Sequence, residues 1–405
     1  MQCRFCHNPL TYIFVDLGKT PLSNSFLNYE DTAREVFYPL RVYVCEKCFL
    51  VQISQVESPK KIFQDYAYFS SYSDSWLDHV RNYSEMITNR LDLNSHNFVI
   101  EIASNDGYLL QYFQKKGIPH LGIEPAENVA KVALQKGLST RIEFFGVDCA
   151  NRLVQEGKRP DLLIGNNVLA HVPDLNDFVA GMKILLKPNG LITLEFPHLL
   201  QLISKNQFDT IYHEHFSYFS LMTVEKVLAY HGLKIFDVEE LNTHGGSLRI
   251  FVSHKEVKKA DSPNLNYIRD MEYTSRLNSL DTYLNFDNKV KEVKEKLVTF
   301  LKQEKGKGKT IVGYGAPAKG NTLLNYCGIG PDLLEFTVDR NSCKQGKVLP
   351  GTHIPIFSPL KIKEKKPDYL LILPWNIKEE VIKQMGCLKE WQGRFIIPIP
   401  EVTLI

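Results

Sequence analysis

The stretch FDTIYHEHFSYFS, Phe208 to Ser220, gathers two histidines, a glutamate and two tyrosines. Such a set can hold a metal, move protons, or form a polar loop. A helical metal site wants its histidines on one face, at i and i+4 as in His-Glu-x-x-His. Here His213 and His215 stand at i and i+2, which a helix would point apart, and no cysteine lies in the stretch. Acid/base chemistry and a polar loop remain. His215 suits the role of base, because an unperturbed histidine with a pKa of about 6.5 accepts a proton near neutrality. Glu214 or Tyr212 would orient it or touch substrate. A base is needed where a carbon must become a nucleophile: it removes a proton beside a ketone, and donors must hold the enolate oxygen. Candidate donors are His171 and the tyrosines of DYAYFSSYSDSW (65–76), namely Tyr66, Tyr68 and Tyr72. Packing aromatics and a core histidine are the alternative reading of these four.

Elements able to position these groups recur along the chain. NFVIEIAS (97–104), HLGIEP, DLLIGNNVL and GLITLEFP read as buried strands separated by helical stretches. That alternation predicts an α/β fold with a parallel, doubly wound sheet. LKIFDVEEL and GSLRIFVSH, joined by NTHGG, predict a hairpin at one edge. After the first strand, EIASNDG makes a turn with Glu101, Ala103, Asn105, Asp106 and Gly107, and Glu124 ends the second strand. A carboxylate there can accept from both ribose hydroxyls. An acidic turn in place of a Gly-Lys pair suits an adenosine ligand without phosphates, with an ordinary dinucleotide turn as the alternative.

At the start of the sequence, Cys3-x-x-Cys6 and Cys45-x-x-Cys48 supply four thiolates, the set of a closed tetrahedral zinc site. With no open position evident, the zinc would be structural and would staple a small lobe with little core of its own. Redox cysteines are the alternative. Towards the other end, TIVGYGAPAKGNTLLNYCG repeats strand, glycine turn and helix, and LEFTVDRN, YLLILPWN and RFIIPIP read as further strands of a smaller α/β domain. Gly315, Lys319 and Asn321 lie in that turn. A helix start with a lysine favours an anion, and the order Lys-Gly-Asn excludes a Walker A loop. A diphosphate fits; a structural turn with a solvated lysine is the alternative. FDNKVKEVKEKLVTFLKQEKGKGK has helical spacing and mixed charge, which reads as a connecting helix.

The 405 residues predict two or three domains, and 48 basic against 46 acidic residues argue for neither a nucleic-acid nor a membrane-surface partner. No apolar run approaches the ~18 residues of a membrane helix, and MQCRFCHNPL does not read as a signal peptide. A cytoplasmic protein is expected.

EIASNDG resembles the first motif of class I S-adenosylmethionine-dependent methyltransferases, with Ala103 where glycine is usual. Taken with CRFC…CEKC, DLGKTPLSNSFL, NNVLAHVPD, IYHEHFSYFS, HGGSLRI and GYGAPAKGNTLLNYCGI in that order, the chain resembles the bacterial nucleotide-sugar C-3-methyltransferases over essentially its whole length. The resemblance implies a Rossmann-like methyltransferase domain between a zinc lobe and a smaller C-terminal α/β domain, with boundaries at 1–65, 66–255, 256–308 (helical connector) and 309–405. It implies methyl transfer from S-adenosylmethionine to C-3 of a dTDP-linked 4-keto-deoxyhexose. A monomer or weak homodimer is expected. His215 would be the base, Glu214 its orienter or a sugar ligand, and Tyr212 a pocket wall. Tyr66 and His171 would be donors; Tyr68 and Tyr72 compete with Tyr66 for contact with the sugar. Asn166 and Asn167 would border the donor's methionine part, and His244 and Arg249 the substrate, with a buried salt bridge as the alternative for Arg249. O- or N-methylation of a nucleotide sugar, or a non-catalytic zinc-containing sugar-nucleotide binder with Ala103 marking a degenerate donor site, are the competing readings.

Overall fold

The computed structural model describes residues 1–63, 70–72 and 74–405, with the backbone alone for residues 59, 63, 72 and 74. Three sheets organise it. The first three strands, β1 (Tyr12–Thr20), β2 (Tyr38–Val44) and β3 (Val51–Ile53), form an antiparallel meander beside the cysteine knuckles. A central run follows: β4 (Val99–Ile102), β5 (His120–Ile123), β6 (Thr140–Arg141), β7 (Leu162–Asn166) and β8 (Leu191–Pro197). Next come β9 (Ser217–Tyr218), β10 (Leu233–Leu241) and β11 (Ser247–His254).

The central sheet has the order β10-β11-β8-β7-β4-β5-β6. Strands β8 to β6 in that order are parallel, and the β10–β11 hairpin joins antiparallel at the β8 edge. Every residue of β4 and β7 is buried, as expected of apolar strands covered on both faces. The chain runs outward from β4 through β5 and β6, then restarts at β7 on β4's other side. That reversal opens a crevice at the carboxyl ends of β4 and β7.

The C-terminal sheet uses β12 (Ile311–Tyr314), β13 (Thr337–Val338), β14 (Ile356–Phe357), β15 (Tyr369–Ile372), β16 (Arg394–Ile397) and β17 (Thr403–Leu404), in the order β14-β13-β12-β15-β16-β17. All pairings are parallel except β16–β17. Its reversal lies between β12 and β15, so a second crevice opens after Tyr314. Helices Pro263–Thr274, Leu280–Leu284 and Phe286–Gly306 connect the two sheets.

The zinc lobe does not stand alone. Phe14 stacks on Phe286 of the connecting helix with centroids 4.5 Å apart and planes 7° apart, and Phe49 stacks on Tyr283. One hydrophobic cluster runs from Phe14, Leu40 and Val42 through Phe208 and Phe216 to Val290, Leu323 and Leu371. Strand β9, from the middle of the chain, closes the lobe's own sheet, in the order β1-β2-β3-β9. The lobe therefore takes its core from both other sheets, which is how so few residues fold there.

Candidate active site

Both crevices open into one cavity of about 380 Å³, whose wall includes Ala103, Asn105 and Glu124, then Asn166, Asn167 and His171, then Tyr212, Glu214, His215 and His244, and finally Lys319. These residues come from the turns after β4, β5 and β7, the segment before β9, the β10–β11 turn and the helix start after β12, and the zinc lobe adds Asn24.

The turn after β4 puts Ala103, Asn105 and Gly107 in the left-handed region, at φ 57°, 48° and 76°. Asparagine and glycine tolerate this; alanine pays roughly 1–2 kcal/mol. At Gly107 a Cβ would lie 2.1 Å from Leu138 Cδ1. Glu124 holds the turn: its Oε2 accepts the Asn105 N–H at 2.9 Å and its Oε1 the Ala126 N–H at 2.8 Å. It is 4% exposed, and burial pushes its pKa up to about 7. Glu101 is fully buried below the turn beside Tyr108, and burial raises its carboxyl well above the usual range. Asn166 is 6% exposed, and among the described residues neither its Oδ1 nor its Nδ2 is in hydrogen-bond geometry, although it borders the cavity. A carboxylate on one side and an orphaned amide on the other fit the ribose and the zwitterionic amino acid end of S-adenosylmethionine.

Across the cavity, the Tyr212–His215 segment forms a tight turn closed by the His215 N–H donating to the Tyr212 carbonyl. Two imidazoles of the wall meet here: the rings of His171 and His215 lie 4.8 Å apart at 71°. His171 Nδ1 donates to the Glu214 carbonyl at 2.8 Å and His215 Nδ1 to the Thr210 carbonyl at 3.1 Å. Carbonyls accept only, so both rings carry the proton on Nδ1, and the lone pair of His215 Nε2 remains for substrate. Tyr212 packs on His215 with centroids 4.0 Å apart. Burial lowers His171 to about 4 and holds His215 well below its ordinary value, with His171 and Lys319 adding in the same direction, so both are neutral at pH 7. Glu214 accepts from Asn24 Nδ2 at 2.7 Å, and burial lifts it to about 7. The orienter of His215 is thus the Thr210 carbonyl, and Glu214 faces the cavity with Asn24. His213 is elsewhere: its Nε2 donates to the Pro39 carbonyl at 3.2 Å and its ring meets Tyr38, which docks the loop on β2.

His244 sits at φ 55° with no partner for Nδ1 among the described residues, against Trp76 at 5.4 Å, and burial lowers it to about 4. Lys319 is held by Asn376 Oδ1 at 2.8 Å over the Trp375 ring at 4.6 Å, and burial lowers its pKa.

Several expected site residues are not in the cavity wall. Arg249 is tied to Glu195 at 2.9 Å and Glu239 at 3.0 Å, lies over the Tyr83 ring at 4.4 Å, and is 4% exposed, so it neutralises a buried carboxylate. Asn321 donates to the Ser23 carbonyl at 2.6 Å and so joins the C-terminal helix to the zinc lobe. Gly315, at φ 89°, is where a Cβ would strike Pro374 Cδ at 2.6 Å; its service is to the turn. Glu101, Asp106 and Gly107 likewise shape the first turn from behind, with Asp106 paired to Lys136 at 3.4 Å. Tyr66 and Tyr68 lie outside the described residues, as does the Tyr72 side chain. The sequence reading missed Asn24, Trp76, Tyr108 and Lys344, all on the wall. Lys344 is recoverable only from the fold, because the loop after β13 returns it to the Lys319 side, where its Nζ donates to the Ala316 carbonyl at 2.8 Å.

The four cysteine sulfurs lie within 4.8 Å of one another, with Cys3–Cys48 and Cys6–Cys45 at 3.5 Å. Tetrahedral zinc with Zn–S near 2.3 Å requires sulfurs about 3.8 Å apart, so the cluster fits the ion. Gln52 Nε2 donates to Cys3 Sγ at 3.2 Å, an outer-shell contact typical of such sites. No helix among the described residues is long and apolar enough to cross a membrane.

Three family models match the chain: a zinc binding domain over residues 3–63, a methyltransferase domain over 76–238, and a C-methyltransferase C-terminal domain over 242–400. The C-methyltransferase NovU of Streptomyces niveus is 36% identical over 405 residues, covering 100% of this chain and 96% of that protein. A ubiquinone biosynthesis O-methyltransferase of Bartonella bacilliformis is 29% identical over 98 residues, 23% of this chain and 38% of that one. Among solved structures, a Burkholderia thailandensis 1,6-didemethyltoxoflavin-N1-methyltransferase with S-adenosylhomocysteine matches at TM-score 0.36 and 15% identity, over 51% of this chain and 94% of that one.

Proposed function

This chain belongs to the bacterial S-adenosylmethionine-dependent C-methyltransferases, and from that premise we propose that it methylates C-3 of a nucleotide-linked 4-keto-deoxyhexose, with dTDP as the nucleotide, through an enolate. The observation that carries the reading is His215, whose Nδ1 is fixed on the Thr210 carbonyl in the cavity that holds the donor turn. A neutral imidazole with a fixed tautomer is a base held in one orientation.

S-adenosylmethionine supplies an electrophilic methyl group on a sulfonium. His215 Nε2 takes the C-3 proton, the C–H electron pair moves into the C3–C4 bond, and the C4 carbonyl oxygen becomes the enolate oxygen. C-3 then bonds the methyl carbon as the methyl–sulfur bond breaks. His171, 4.8 Å from the base, stays neutral and borders the developing charge. Tyr66 is proposed as a donor to the enolate oxygen. Glu214 and Asn24 form a paired acceptor and donor for sugar hydroxyls. Lys319 and Lys344, both on the cavity wall, meet the diphosphate: burial lowers the pKa of each, and a dianion would raise it again.

The test uses methyl-labelled donor with a panel of nucleotide-linked 4-keto sugars deuterated at C-3. The expected product carries the label on C-3 and has lost the deuterium. Label on oxygen or nitrogen, or retained deuterium, would sink the carbon mechanism.

A further inference from the structure

Between the first two zinc ligands lies Arg4, and its side chain leaves the knuckle. Its Nη1 donates to the Pro173 carbonyl at 2.6 Å and its Nη2 to the Ile53 carbonyl at 2.8 Å, and its guanidinium sits 5.4 Å from the Phe216 ring centroid. Pro173 is two residues past His171, and Phe216 directly follows His215. Ile53 in turn donates its N–H to the Phe216 carbonyl at 3.1 Å, and Phe216 donates its own to the Ala170 carbonyl at 2.7 Å. Gln52, fully buried next to Ile53, closes the circuit: Nε2 reaches Cys3 Sγ at 3.2 Å, Oε1 accepts the Arg4 N–H at 2.9 Å, and its backbone pairs with Ser217.

We propose that the zinc knuckle is a positioning element of the active site, and that Arg4 is the positioning residue that sets His171 and His215 relative to each other. The two imidazoles come from separate turns of the central domain, joined directly by His171 Nδ1 on the Glu214 carbonyl and by the Phe216 N–H on the Ala170 carbonyl, and Arg4 adds a brace that touches both turns. A forked guanidinium can brace two carbonyls at once; an ammonium cannot do so in the same plane. Zinc fixes the backbone from which Arg4 departs. Outer-shell partners of this kind are worth about 10–100-fold in activity when removed. The inference rests on the histidine pair being the reacting centre.

Full-length Arg4→Lys and Arg4→Gln, loaded with zinc, test it. Zinc content by mass spectrometry and S-adenosylhomocysteine affinity by calorimetry should match wild type within about twofold, while kcat for methyl transfer falls about 10–100-fold. With histidine labelled at 13Cε1, and signals assigned through His171→Gln and His215→Gln, both ring signals should shift in the variants, and again in wild type on chelation, while His244 stays in place. Zinc-loaded variants whose His171 and His215 signals and kcat match wild type would overturn the proposal; so would a fall in thermal stability without movement of either signal. If Arg4→Gln does not fold, Arg4→Lys, which keeps the charge and one carbonyl contact, decides alone. Methylation found on oxygen with the signals still shifting would refute the function proposed above and leave this inference standing.

Discussion

Replacing Glu124 by glutamine tests the donor site through protons. The carboxyl accepts two backbone N–H groups, at 2.9 and 2.8 Å, and burial raises its pKa from 4.5 to about 7. In the ligand-free protein it is therefore protonated below about pH 7. Ribose hydroxyls need an acceptor, so ligand binding selects the carboxylate and must release that proton at lower pH. Affinity then scales with the ionised fraction and falls about tenfold per pH unit below 7. Between pH 8 and pH 5 this gives a weakening of about 90-fold, or about 2.7 kcal/mol. The folding linkage runs the opposite way. Between about pH 4.5 and 7 the folded state holds a proton that the unfolded state has lost, so this group's contribution to stability declines as pH rises through that window and is level above it. Calorimetry with S-adenosylhomocysteine, repeated in buffers of different ionisation enthalpy, should show about one proton released per ligand at pH 6 and almost none at pH 8. Glu124→Gln should bind weakly at every pH, with no proton release, because its NH₂ must face one of the two N–H groups, at a cost of about 1–3 kcal/mol. Wild-type affinity that is flat from pH 5 to 8, with no proton release at pH 6, would refute the assignment of Glu124 as ribose acceptor.

The two histidines of the loop should separate cleanly. His215→Gln is expected to lose about 10²–10⁴-fold in kcat with S-adenosylhomocysteine affinity unchanged, whereas His213→Gln should keep most of kcat and lose about 1 kcal/mol of stability, seen in denaturant titration. Arg249→Met takes the guanidinium from the buried Glu195, leaving it only His79 and the Thr243 hydroxyl, and should cost about 3–5 kcal/mol in stability; a variant that folds normally and only raises KM for the sugar nucleotide would return Arg249 to the substrate. Zinc removal by chelator should open the β3–β9 pairing, detected as faster amide hydrogen exchange at Val51–Ile53 and Ser217–Tyr218, while β4, β5 and β7 stay protected.

Reading the sequence locates the parts that depend on local pattern. Buried β4 and β7 are visible as apolar runs, the zinc ligands as paired cysteine spacings, and the edge hairpin as two strands around NTHGG. The i, i+2 histidine spacing argues against a metal role for His215, and Glu124 is singled out because it ends a strand. What escapes depends on distant partners. For Arg249 in HGGSLR a phosphate contact and a buried salt bridge read equally well until β8 brings Glu195 beside it. Gly315 and Asn321 look like ligand groups because glycine turns serve both ligands and packing, and only the Pro374 and Ser23 contacts tell which. Asn24 has no local signal: it matters because the zinc lobe docks where Glu214 is buried. Lys344 is invisible for the same reason, since its loop has no periodicity that points at Lys319.

The fourth strand of the zinc lobe's sheet is Ser217–Tyr218, more than 150 residues along the chain from β3. The lobe is thus not a cassette with one entry and one exit. A chimera that exchanges residues 1–63 alone between relatives would graft a sheet lacking its partner edge and a knuckle facing a foreign base loop. Recombination that keeps function should carry the 207–220 segment with it, so the two stretches are expected to be inherited as a linked pair, and libraries built for new sugar acceptors are best cut with both on the same side.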